Sequence, residues 1–241
     1  VFRSIPSMSA CREYYDCDWR SSQRRASRYC RSATTRIIKS IRLRLSWIRQ
    51  LLQEDSQKLL KVVYLLRDPR ATLASTTALR WQTNTSSVCG DLMQDLIDFP
   101  QLAREFPNQF VLLRYEELCR DPQGEFQELY QFLQDDPSAP FPKTWEDYLT
   151  NHNTQPWWMK VLGPIFGSEF STRRNSLVEA EAWRLEVDED TWRQVEDHCH
   201  KVIQLSGYNI FHSVNQLRDL KVPQLNFTTK ELYTIRNGLK T

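Results

Sequence analysis

Apolar positions along the chain switch between two periods, and the switching outlines alternating β and α elements. Val62 to Leu66 is a short apolar run rich in β-branched and aromatic residues, which suits a strand covered on both faces. Phe110 to Leu113 has the same character. Helical spacing follows each run: Pro69 to Arg80 after the first and Pro122 to about Leu133 after the second. Between them, Ser87 to Phe106 reads as a helix interrupted or bent at Pro100. Upstream, Ser40 to Leu52 has helical spacing after a possible short strand at Arg36–Ile41. Downstream, Trp145–Asn151 reads as a short helix, and Glu189–Leu205 as an amphipathic one ending at Gly207, a suitable C′ residue. Residues 1–33 are polar, rich in Arg and Ser and aperiodic, and 135–142 is a turn-rich linker. Two parallel strands joined by helices imply an α/β fold, a three-layer sandwich around a central parallel sheet. One domain is the natural count for 241 residues. Its expected extent is 1–223, beginning with a basic, irregular, Cys-containing segment at 1–35, and a C-terminal tail is expected at 224–241.

The junction after the first strand carries the strongest chemical signal. Arg67 ends the strand, Asp68 is placed as a helix N-cap, and Pro69 takes the first helical position, where its missing N–H costs nothing. A strand-to-helix junction gathers free N–H groups and the positive end of the helix dipole, which suits an anion. Arg67 and Arg70 add charge there, and Ser75 lies two turns along on the face where the helix begins. Two readings stay open on these grounds: phosphate binding, and a capped helix after a core strand with surface arginines.

Composition narrows the partners. Net charge is only +2, yet residues 1–50 hold eleven arginines and one lysine against Glu13, Asp16 and Asp18. Nucleic acid is the generic partner of such a segment, a solvated basic face the plain alternative. The six cysteines include no C-x-x-C pair, and the four histidines offer no metal template, so no metal is expected. Cys11, Cys17 and Cys30 cluster in a loop-like stretch, and Asn84-Thr85-Ser86 and Asn226-Phe227-Thr228 are glycosylation sequons. Both features tilt toward an oxidising lumen. No run of about eighteen apolar residues and no signal peptide occurs.

The segment KVVYLLRDPRATLAS (Lys61–Ser75) closely resembles the 3′-phosphate-binding segment of the Golgi carbohydrate sulfotransferases, in particular the galactose/N-acetylglucosamine/N-acetylgalactosamine 6-O-sulfotransferases. Further resemblances follow in family order. They are IIKSIRLRL (Ile37–Leu45), SVCGDLMQDL (Ser87–Leu96), FVLLRYEELCRDPQGEFQELYQFL (Phe110–Leu133), STRRNSLVEAEAWR (Ser171–Arg184) and HCHKVIQLSGY (His198–Tyr208). The resemblance implies a P-loop-like sulfotransferase fold and 3′-phosphoadenosine 5′-phosphosulfate as the donor. Arg67 and Ser75 would hold its 3′-phosphate. Asp68, Pro69, Arg70 and Ala71 complete the donor-binding segment, and Arg174 of the S-x-R-N stretch is expected near the donor. Lys39, Arg42 and Arg44 match a basic strand that could reach donor or acceptor. Trp157-Trp158 suits either a sugar-stacking platform or a buried loop anchor. Trp183 reads foremost as core, and Glu116-Glu117 as a structural turn pairing with Arg114.

The implied reaction moves a sulfuryl group to the 6-hydroxyl of a GlcNAc, Gal or GalNAc residue in a glycan or glycosaminoglycan. The basic surface would then meet glycan and nucleotide donor, not nucleic acid. In the family an R-S-G-S-S-type 5′-phosphosulfate loop precedes the 3′-phosphate segment. Here no glycine precedes Gly90, so such a loop is missing. The chain therefore reads as the C-terminal part of the domain, with the first strand, that loop and the base lost, and the catalytic residue unknown. A type II membrane anchor and a Golgi-lumen location are expected of the full-length form, with the anchor upstream of Val1. The competing class is a catalytically inactive remnant that binds 3′-phosphonucleotide or glycan at most. A P-loop kinase is disfavoured, because no Gly-x-x-x-x-Gly-Lys-Ser/Thr occurs.

Overall fold

The computed structural model describes residues 27–28, 30–78, 84–152 and 175–238. The chain forms two compact units, 1–43 and 44–241. In the first, Arg36 donates from Nε to the Cys30 carbonyl (2.7 Å) and from Nη2 to the Arg31 carbonyl (3.0 Å). Residues 36–40 have no ladder partner, so the short strand expected at Arg36–Ile41 does not form.

The second unit is α/β. Its described elements are α1 (Leu45–Glu54), β1 (Val62–Leu66), α2 (Pro69–Ala78), α3 (Thr85–Glu105), β2 (Phe110–Arg114), α4 (Tyr115–Arg120), α5 (Pro122–Gln134) and α6 (Lys143–His152). There follow α7 (Ser176–Glu181), α8 (Trp183–Glu186), α9 (Glu189–Leu205), α10 (Val214–Arg218) and α11 (Thr229–Gly238). Several starts rest on the residue types that favour them: Asn84 accepts from the Ser87 N–H, Asp121 from Gly124, and Asp188 from Thr191. Pro122 sits in the first turn of α5, where its missing N–H is harmless, whereas Pro100 lies inside a continuous α3.

β1 and β2 pair in parallel, with Val62 opposite Phe110 and Leu66 opposite Arg114. Val62, Tyr64 and Leu66 alternate inward with Phe110 and Leu112, under Leu45, Ile48 and Leu52 of α1, Phe99 and Leu102 of α3, and Leu232 of α11. Among the described residues the opposite face is not covered as the apolar run suggested: Val63 is 39% exposed and Leu65 54%. Continuous apolarity thus marks a strand covered on one face here.

α9 places Trp192, Val195, Glu196, Cys199, Val202 and Ile203 inward at helical spacing. It ends in a Schellman turn: the Gly207 N–H donates to Gln204 and the Tyr208 N–H to Ile203. Gly207 has φ +80°, as its expected C′ role requires. Cys89 on α3 and Cys199 on α9 form a disulfide across the second core cluster.

The boundary expected at 223/224 does not hold. Gln224 is fully buried and donates to Asp68 (3.0 Å), Leu232 is a core residue, and the Tyr233 hydroxyl accepts from the Leu112 N–H (2.8 Å). The stretch expected as a tail instead helps to close the core at β2.

Candidate functional site

The β1–α2 junction forms as expected. Asp68 caps α2, its Oδ1 accepting from the Arg70 N–H at 2.9 Å, and the Asp68 N–H donates to Glu116 Oε1 at 3.0 Å. Two carboxylates therefore already sit at the start of this helix. An anion has to approach away from that end of the helix.

Arg70 is not one of the charges available to that anion. It is 1% exposed and forks onto Asp68, with Nε to Oδ1 at 3.0 Å and Nη2 to Oδ2 at 2.8 Å. Its Nη1 donates to both oxygens of Glu196 at 3.1 and 3.0 Å. Asp68 Oδ2 also accepts from Gln224, and Glu196 from the Trp192 indole N–H and the Phe211 N–H. Pro69 and Ala71 are buried with them. Asp68, Pro69, Arg70 and Ala71 thus frame the site from behind. The sequence shows Arg70 as a surface arginine because its main partner, Glu196, lies 126 residues away.

Arg67 is different. It is half-buried, its Nε is buried without a hydrogen-bond partner, and no carboxylate reaches it among the described residues. Its guanidinium carbon stands 4.5 Å from the centre of the Tyr115 ring. Ser75 is exposed on α2, and Thr72, one turn earlier, is half-buried. An arginine with an orphaned buried N–H suits a phosphate group, and Ser75 is an exposed hydroxyl on the helix that follows it. Two surface hollows, of about 400 and 540 Å³, lie elsewhere: one around Leu73, Asn84 and Gln194, the other around Phe132 and Asp135. Neither is lined by Arg67 or Ser75.

The remaining candidates divide. Arg174 and Trp157-Trp158 lie outside the described residues. Lys39 and Arg42 are exposed in the first unit. Arg44 is engaged by Asp95 at 3.0 Å, and Asp95 also accepts from the Leu45 N–H (3.0 Å) and the Tyr64 hydroxyl (3.1 Å). Trp183 is core. Arg184 is fully buried and donates to the carbonyls of Leu217, Asp219 and Val222 around the end of α10.

The RYEEL turn is a clamp. Arg114 donates to the Phe227 and Ser206 carbonyls (2.6 and 2.8 Å), and Glu117 accepts from the Thr229 N–H (2.9 Å) and hydroxyl. Glu116 accepts from Tyr208 at 2.8 Å. Burial, reinforced by the Asp68 charge, pushes the Glu116 carboxyl up to about 7. Among the described residues no group of three or more His, Cys, Asp or Glu is placed to hold a metal ion.

Sequence reasoning missed Tyr115. The strand register carries the signal: Leu66 faces Arg114, so Arg67 and Tyr115 follow side by side.

Comparison with known proteins agrees with this motif. A sulfotransferase domain model matches residues 13–207. Mouse carbohydrate sulfotransferase 1 is 27% identical over 215 residues, 80% of this chain and 50% of its own length. Mouse carbohydrate sulfotransferase 5 is 28% identical over 223 residues, covering 83% and 54%. Carbohydrate sulfotransferase 3 of Tetronarce californica is 30% identical over 194 residues, covering 72% and 41%. The chain therefore spans about half the length of the curated relatives it matches. No solved structure matches. With the domain model covering most of the chain and these relatives matching through the same junction, the protein belongs to the sulfotransferase family, alongside the carbohydrate sulfotransferases.

Proposed function

We propose that this chain is part of a carbohydrate sulfotransferase using 3′-phosphoadenosine 5′-phosphosulfate as donor and the 6-hydroxyl of a GlcNAc, Gal or GalNAc residue as acceptor. The observation that carries the reading is Arg67, whose buried Nε has no partner at the end of β1. The donor, when bound, supplies the sulfuryl group. Arg67 holds the 3′-phosphate through charge-assisted hydrogen bonds, Ser75 adds one neutral donor, and Arg174 belongs to the same donor site. The Asp68–Arg70–Glu196 network fixes the backbone from which Arg67 projects. No base is assigned: Glu116 and Glu117 both accept hydrogen bonds within the fold. The Cys89–Cys199 disulfide supports an oxidising lumen, and the family resemblance makes it that of the Golgi, with the full-length protein anchored as type II. No described helix is long and apolar enough to cross a membrane.

The test has two arms. Titration with adenosine 3′,5′-bisphosphate and with adenosine 5′-monophosphate should show preference for the bisphosphate, and equal affinity would sink the 3′-phosphate site. Protein containing this chain should transfer labelled sulfate to GlcNAc-, Gal- or GalNAc-terminated oligosaccharides, and an ester at any position but C6 would overturn the acceptor assignment.

A further inference from the structure

We infer that Tyr115 is a positioning residue for the donor: its ring holds the Arg67 guanidinium in the orientation that receives the 3′-phosphate. The inference rests on the function proposed above. Parallel pairing of Leu66 with Arg114 brings Arg67 and Tyr115 together just beyond the strand ends, on the side of Val63 and Leu65. The guanidinium carbon lies 4.5 Å from the ring centre, within cation–π range. The helix carrying the ring is itself anchored. Tyr115 begins α4, and the carbonyl of Cys119, one turn on, accepts from Ser176 Oγ of α7 at 2.9 Å.

The contrast with the buried arginines shows what this arrangement achieves. Arg70 is held by two carboxylates, while Arg114 and Arg184 are held mainly by backbone carbonyls. Arg70 and Arg184 have their in-plane N–H groups occupied, whereas Arg114 has both Nη groups occupied and its Nε, without a hydrogen bond, faces the Glu117 carboxylate at 4.0 Å. An aromatic face restrains a guanidinium from the side and leaves those in-plane donors open. It also adds no negative charge, so nothing competes with an arriving phosphate. Arg67, orphaned at Nε and without a carboxylate among the described residues, is therefore oriented without being neutralised.

The test uses the 241-residue chain with adenosine 3′,5′-bisphosphate and adenosine 5′-monophosphate as probes, comparing wild type, Tyr115→Phe and Tyr115→Leu. In wild type without nucleotide, the Arg67 Hε resonance should be displaced upfield by the ring current, and Phe should keep that displacement while Leu removes it. Leu should weaken bisphosphate binding by about three- to thirtyfold, the range of one cation–π contact, and leave monophosphate binding unchanged. Phe should bind both nearly as wild type does. A wild type that does not distinguish the two nucleotides overturns the 3′-phosphate reading itself, whatever the resonance does. Where it does distinguish them, an undisplaced wild-type Hε overturns the positioning role alone, and this needs no variant that folds. An equal loss on both nucleotides in Tyr115→Leu overturns it too, by assigning the ring to the nucleoside or to the fold.

Discussion

Arg67 and Arg70 lie three residues apart in one motif and are held in opposite ways, Arg70 by two carboxylates and Arg67 by none among the described residues. Arg67→Ala should weaken adenosine 3′,5′-bisphosphate binding by about 1.5–3 kcal/mol, roughly ten- to a hundredfold, and leave the melting temperature nearly unchanged. Calorimetric titration checks this. Lysine should rescue it only in part, keeping the charge and losing the fork, and Ser75→Ala should cost nearer 1 kcal/mol. Arg70→Ala should instead destabilise the fold by about 3–5 kcal/mol, because Asp68 and Glu196 would be left buried without their counter-charge. A denaturant midpoint that did not move would contradict this account of the network. Glu116 supplies a pH dependence. Its carboxyl is raised to about 7 in the fold, chiefly by burial, so it binds its proton more tightly folded than unfolded. The stability it contributes is present below the ordinary carboxylate range and is lost as pH rises through about 7. Glu125, also raised to about 7, titrates in the same window. The difference between wild type and Glu116→Gln, followed by thermal melts from pH 5 to 8, therefore isolates Glu116, and the variant should show the shallower decline.

At the scale of elements, sequence was most legible where one residue type has one physical use. The boundaries of α9, the Pro122 start of α5 and the Gly207 stop follow from caps and periodicity. Gly207 is doubly constrained: its φ is left-handed, and a Cβ there would stand 2.5 Å from the Phe227 ring. Gly207→Ala should cost at least about 1–2 kcal/mol, measurable as a fall in denaturant midpoint. The Cys89–Cys199 bond joins α3 to α9 across 110 residues. Removing it with Cys89→Ser should lower stability by about 2–4 kcal/mol, and the variant's melting temperature should be unmoved by reductant. Sequence could not supply this pairing, because six cysteines allow fifteen complete pairings and spacing ranks none of them.

For the whole molecule, the C-terminal stretch is the surprise. Gln224 reaches Asp68 behind the junction, the Phe227 carbonyl accepts from Arg114, and Leu232 packs beneath the sheet. A chain ending at residue 223 should therefore lose cooperative unfolding, followed by near-ultraviolet dichroism on heating. Retention of a sharp transition would restore the view of a dispensable tail.

The sequence by itself determined the α/β order, the capped junction after β1 and the family, because strand runs, helix caps and the Arg67–Ser75 motif are local signals within reach of a few residues. Only the tertiary structure decided which arginine is available. The repeated Leu-Leu-Arg of the two strands invites an alignment of Arg67 with Arg114. The real register is shifted by one, pairing Leu66 with Arg114. In a sheet, one step exchanges the faces. That step sends Arg114 into the core beside Tyr208 and leaves Arg67 outside against Tyr115, an outcome fixed by packing between segments that are distant along the chain.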